Sequence, residues 1–238
     1  MIRRPPRSTQ SRSSAASDVY KRQALIPEDL PLIGRLAGLS LASPAAGYAA
    51  YRYKRATDIK KINWSSVIGC NMAYRREAFI AIGKFDPGFW PGEEMIAAFR
   101  TQKLGFLLMF HSGAIVYHYP RQTLINFCRQ IYGYGATRIR LMRAGVDLEL
   151  SPLMPLVLLL LLIIFMLFSV FWSRALFLLA VIVLFYFIFD LLVTSLILFQ
   201  TRRIADILLF IIIPFMHLSY GIGQLKEIIL PGKDLSIK

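Results

Sequence analysis

Apolar residues follow two regimes along this chain. Up to about residue 150 they come in short runs and helical repeats separated by polar turns, and beyond it they form three nearly unbroken blocks, residues 152–172, 175–199 and 204–223. The first block carries no charge, the second only Asp190 and the third only Asp206. Some 20 consecutive apolar residues cross a hydrocarbon core, so each block is a candidate span. Ser173 and Arg174 are expected to form the hairpin between the first two, and Arg202 and Arg203 lie between the second and third. With Arg138, Arg140 and Arg143 ahead of the first block, the excess of basic residues predicts a cytosolic N-terminal part and Arg202-Arg203 loop, with the tail on the far side. The three lysines near the C-terminus, Lys226, Lys233 and Lys238, oppose that last placement. Asp190 in mid-block marks either an inter-helix contact or acceptor path, or a neutral, locally hydrogen-bonded side chain.

Ahead of the blocks, residues 124–142 read as a long amphipathic helix with Thr123 as its N-cap. Leu124, Phe127, Ile131 and Tyr134 recur at spacings of three and four, and Arg129, Arg138, Arg140 and Arg143 add positive charge. Such a helix is expected to lie along a membrane surface, its arginines meeting lipid phosphates. Residues 34–41 read as a short helix. An apolar run, 67–74, leads into Arg75 and Arg76 and a short helix that ends at Gly83. A loop rich in Pro, Gly and aromatic residues then delivers Glu93 and Glu94 to the first turn of a helix closed by Gly105. Residues 106–110 and 114–119 read as two strands around a Ser112-Gly113 turn, with Ala114, Val116 and His118 on one face.

Composition agrees with membrane helices: 56% of residues are hydrophobic and the mean hydropathy is +0.52. The net charge of +14 divides as +5 over residues 1–23, +7 over 24–150 and +2 beyond. Basic charge ahead of the spans suits anionic headgroups or the diphosphate of a sugar donor. No nucleic-acid-binding motif accompanies it, so nucleic acid is not expected as a partner. Cys70 and Cys128 are expected to be free thiols, and no CxxC-type metal spacing occurs. Residues 1–23, rich in Arg and Ser without an apolar core, cannot be a secretory signal. They resemble translated sequencing-adapter sequence and are expected to be disordered.

The chemistry-bearing stretch is Gly69 to Arg121. From spacing alone, Glu93 and Glu94 are ordinary helix-opening charges or a catalytic pair. The order of the pieces around them favours the second. Gly69-Cys70-Asn71, Arg75-Arg76, Gly83-Lys84-Phe85-Asp86, Glu93-Glu94, Tyr117 to Arg121, and Arg129-Gln130 with Tyr134-Gly135 resemble the second half of the catalytic domain of family-2 glycosyltransferases, in the membrane-anchored exopolysaccharide (succinoglycan-biosynthesis) subgroup. Ser43 to Gly47 and Tyr51 to Lys54 resemble further elements of that subgroup, and the resemblance covers about residues 34–223. Tyr51, Arg52 and Lys54 then lie beside the acceptor or the diphosphate, or else form a solvated basic loop.

The resemblance implies an α/β protein with membrane helices: the C-terminal part of a GT-A domain over residues 24–122, an interfacial helix and linker over 123–150, and a three-helix transmembrane region over 151–238. It implies an inverting transferase, multi-pass in the inner (plasma) membrane with its catalytic part cytoplasmic, moving sugar from a nucleotide-diphosphate donor to a lipid-linked or polysaccharide acceptor. Glu94 stands where the family has an Asp general base, with Glu93 as orienting neighbour. Asn71, Arg75, Arg76, Arg121, Arg129 and Gln130 would contact substrate. His118 would be either a ligand to the family's divalent cation (Mg or Mn) or a structural histidine. Gly133 and Tyr134 replace the Arg and Trp of the QxxRW motif, which argues against a processive polymerase. No D-x-D occurs in the sequence, so the metal- and donor-binding half is expected to be missing and the chain alone inactive. The alternative is a non-catalytic membrane scaffold or transporter-like subunit with a basic juxtamembrane domain.

Overall fold

The computed structural model describes residues 19–27, 29–53, 59–67, 69–147 and 150–232. Most of them are helical. The helices are α1 (Leu32–Ala42), α2 (Arg76–Ala81), α3 (Glu93–Lys103), α4 (Leu124–Arg143), α5 (Met154–Phe168), α6 (Ser173–Thr201) and α7 (Leu209–Ile229). Short strands β1 (Val19–Leu25), β2 (Lys60–Lys61), β3 (Met72–Tyr74) and β4 (Leu108–Tyr117) form one sheet in the order β2-β4-β1-β3. β1 runs parallel to β4 and antiparallel to β3.

Two expectations are corrected in the sheet. Residues 19–23 belong to a strand paired on both edges, whereas residues 1–18 lie outside the described residues. Pairing satisfies backbone donors and acceptors whatever the side chains, so a polar, Arg-rich composition did not announce it. The two strands expected around Ser112-Gly113 are one. Arg22 pairs with His111 and Gln23 with Ile115, so residues 112–114 bulge from β4 without reversing its direction.

Local signals place the helices well. Thr123 accepts a hydrogen bond from the Asn126 amide at 3.3 Å at the start of α4, and Gly83 and Gly105 follow α2 and α3 with φ of +80° and +82°. The chain turns at 169–172, just before α6, one step earlier than Ser173-Arg174.

Two cores flank α4. Trp64, Phe89, Ile96, Phe99, Leu108 and Leu141 form the sheet-side core, with Trp64 and Phe99 edge to face at 5.7 Å. Leu36, Phe127, Ile131, Ile197, Leu209 and Ile213 form the second, between α1, α4, α6 and α7. Burying Phe127 contributes up to about 3 kcal/mol. The α4 face that periodicity assigned to the membrane surface is therefore covered by protein: Phe127 and Ile131 are closed over by α1 and α7.

Three apolar helices, Ser151–Phe168, Ser173–Thr201 and Ile204–Ile229, are long enough to cross a membrane. Phe171 is 89% exposed and Phe199 80%, surfaces that suit hydrocarbon rather than water. α4 and α7 approach with backbones in contact: a Cβ on Gly135 would overlap the Tyr220 carbonyl, and one on Gly223 the Tyr132 carbonyl. α5 docks on α7, and just ahead of α5 the Pro152 carbonyl accepts from the Gln224 side-chain amide at 2.9 Å.

Candidate functional site

The site is assembled where α3 begins. Gly92 caps that helix with φ +122°, a conformation that L residues avoid. A Cβ there would also overlap the Thr137 methyl group. The loop before it is held to α4 by polar contacts: Thr137 Oγ1 donates to the Pro91 carbonyl, and Arg140 Nη1 to the Trp90 carbonyl at 3.1 Å. These contacts fix the direction in which α3 presents its first turn.

The two acids then part company. Glu93 Oε2 accepts the Gly92 amide at 3.0 Å, so Glu93 does the work of a helix-opening carboxylate. Glu94 faces the other way. Its side chain lies on the Gly69 backbone, where an added Cβ would come 3.3 Å from Cγ, so the Gly69-Cys70-Asn71 turn and the acidic pair do meet. Asn71 is buried beside this contact. Burial raises the Tyr74 phenol pKa, and the negative charge of Glu94 pushes it the same way.

Glu94 lines a cleft of about 630 Å³ that continues between the membrane helices. Thr137 and Arg138 of α4 line it beside Glu94, and Leu158, Tyr186 and His217 carry its wall into α5, α6 and α7. His217 Nε2 donates to the Ala45 carbonyl at 2.8 Å, and the Tyr186 hydroxyl donates to Nδ1 at 2.9 Å. That assignment follows from the carbonyl's inability to donate. This polar pair sits in a wall that is mostly apolar.

Other expected residues lie elsewhere. Arg75 and Arg76 are exposed at the start of α2, Arg121 is exposed after β4, and Arg129 is exposed on α4. Gln130 donates to the Tyr134 hydroxyl at 2.8 Å. Neither Gln130 nor these arginines line the cleft, whereas Tyr134 does. Tyr51 and Arg52 fall in the 3-10 segment Pro44–Arg52, and Lys54 lies outside the described residues. His118 has its pKa lowered, first by burial and then by the positive charge of Arg121, and its ring lies 6.4 Å from that of Tyr53. A neighbouring arginine repels a cation, and no three His, Cys, Asp or Glu side chains among the described residues converge on a metal position. These residues by themselves do not fit a divalent cation.

Arg138 is the residue that periodicity could have supplied. It continues the 127, 131, 134 series by four and is 4% exposed, with its guanidinium carbon 5.9 Å from the Trp64 ring centre. Charge had placed it with the lipid-facing arginines, but its position in the helical repeat places it inside. Comparison with family models, with curated proteins and with solved structures found no match.

Proposed function

We propose that the chain is the acceptor-side and membrane portion of an inverting, membrane-bound glycosyltransferase of GT-A type. In this reading a lipid-linked saccharide lays its tail in the cleft between α5, α6 and α7 and presents a hydroxyl to Glu94. The Glu94 carboxylate takes the proton as that oxygen attacks the anomeric carbon, and the nucleotide diphosphate leaves. Arg138 and Thr137 position the sugar at the mouth. The nucleotide-sugar donor and any Mg or Mn belong to a D-x-D-bearing half that the described residues do not supply. The catalytic part lies on the cytoplasmic face of the inner membrane.

The observation that carries the reading is the continuity of the cleft: one carboxylate at its polar end, and apolar walls from three membrane helices. A base and a bilayer-resident co-substrate need that juxtaposition. The test is sugar transfer in membranes of cells expressing the chain from its own locus, with whatever coding sequence flanks it. Label from a nucleotide sugar entering a lipid extract, and falling at least about 100-fold with Glu94→Gln, supports the reading. Transfer unchanged by Glu94→Gln overturns the assignment of the base. The placement of Arg75, Arg76, Arg121 and Arg129 away from the cleft favours a second reading, a lipid-binding scaffold without transfer. Lipid retention without incorporation of label would establish that one.

A further inference from the structure

We infer that α7 does not cross the bilayer but lies along its surface on the side of the sheet-bearing domain, taking the acyl–headgroup boundary of a lipid membrane as its partner. The helix is long and apolar enough to span, yet its packing forbids that orientation. In the 3-10 segment Ile204–Leu208 that leads into it, Asp206, fully buried, pairs with Arg35 of α1 at 2.5 Å. At its end Glu227, with its side chain 3% exposed, accepts Arg143 Nη2 of α4 at 2.6 Å and the Gly232 amide at 2.8 Å. These two anchors are about 30 Å apart along a helix, the thickness of the hydrocarbon core. Both reach elements that precede the first apolar block. If α7 crossed the membrane, α4 would cross beside it, with the exposed Arg129 and the partly exposed Arg143 carried into hydrocarbon.

The exposed face of α7 agrees. Ile204 and Ile207 of the lead-in segment and Ile211, Phe215, Leu218 and Ile222 of the helix are exposed at steps of three and four, a single apolar stripe, while Ile212, Ile213, Met216, Gly223 and Gln224 are buried on the opposite side. Any helix packed on protein along one side shows such a division, so the stripe sets which face meets lipid and the anchors at its two ends decide how the helix lies. α5 and α6 also carry exposed apolar side chains. Arg202 and Arg203 are exposed beside its start, placed for anionic headgroups. Two spans then remain, and this orientation assigns Lys226, at the end of α7, to the domain side, where basic residues concentrate in membrane proteins.

The experiment uses the full chain in oriented membrane vesicles. Single cysteines are placed by Ser236→Cys and Ser173→Cys in a Cys70→Ser, Cys128→Ser background, with native Cys70, which is exposed, marking the domain side in a Cys128→Ser protein. A membrane-impermeant maleimide is expected to label the Ser236→Cys protein from the same face as Cys70, and the Ser173→Cys protein from the other. Labelling of Ser236→Cys together with Ser173→Cys overturns the inference. Ser173 is exposed. Nitroxides on Phe215→Cys and Ile222→Cys, in vesicles of phosphatidylethanolamine and phosphatidylglycerol, give an independent readout. A surface helix puts both at one shallow depth. A spanning helix separates them by about 10 Å, with Phe215 near the bilayer centre, and that result also overturns the inference.

Discussion

The Glu94 side chain rests directly on the backbone of Gly69, with Cγ 3.3 Å from where a β-carbon at residue 69 would stand. Two segments that are 25 residues apart in the chain thereby set the direction of one carboxylate. Gly69→Val is expected to displace the Glu94 carboxylate by an ångström or more. Under the proposed transferase reading it lowers kcat by about 100-fold in a transfer assay, because catalysis is sensitive to placement on that scale. Under the same reading the nucleotide-sugar KM stays near its original value, since the glycine touches Glu94, the proposed base. A larger effect on KM than on kcat would argue that the turn contacts substrate directly.

The α4–α7 seam makes a prediction about stability. Gly135→Leu or Gly223→Leu forces backbones apart, and each is expected to cost at least about 1 to 3 kcal/mol, read as a lowered midpoint of thermal unfolding in detergent. Gly133→Ala, on the same helix, meets only the Pro91 ring at 3.3 Å. Gain in helix propensity offsets that tight contact, for a net change under about 1 kcal/mol. Equal effects from all three would mean that the seam is not the close approach described.

Removing the cation that reaches Glu227 tests the far anchor. Arg143→Ala leaves a buried carboxylate without its nearest partner, while Lys226 Nζ at 3.7 Å and Arg140 Nε at 3.9 Å remain. The expected loss is about 1 to 3 kcal/mol. Glu227→Gln in the same background recovers part of it, since a neutral amide is cheaper to leave unpaired. A double-mutant cycle on unfolding midpoints measures the coupling.

His118 gives a pH dependence of known sign. Burial and Arg121 hold its pKa below the ordinary imidazole value, so the unfolded chain binds the proton more readily. Above about pH 6.5 both states are neutral and the residue contributes no slope. As pH falls through that value towards the folded pKa, stability is lost. His118→Gln is expected to flatten this acid limb of the stability curve while leaving the neutral-pH value little changed. An unaltered limb would assign the acid sensitivity to other groups.

Much of the helical order was legible locally. Thr123 and the glycines at 83 and 105 mark helix boundaries by capping chemistry that acts within a few residues, and the three apolar blocks announce themselves by length. Glu93 and Glu94 could be placed in the first turn of α3 from the same signals. Their different roles could not be read, because one faces its own helix amide and the other a turn from an earlier segment. The pairing of β1 was also hidden, since backbone hydrogen bonds leave little trace in composition.

Sequence alone therefore determined where the helices begin and end, that the C-terminal third is apolar enough for a bilayer, and that Glu94 sits in a helix's first turn. Tertiary structure decided what each apolar face meets. Periodicity reports that a face avoids water, but a membrane surface, a neighbouring helix and a protein core all satisfy that demand. Only the close backbone contact of α4 with α7 and the ion pairs at both ends of α7 distinguish them, and those depend on partners that local sequence does not specify.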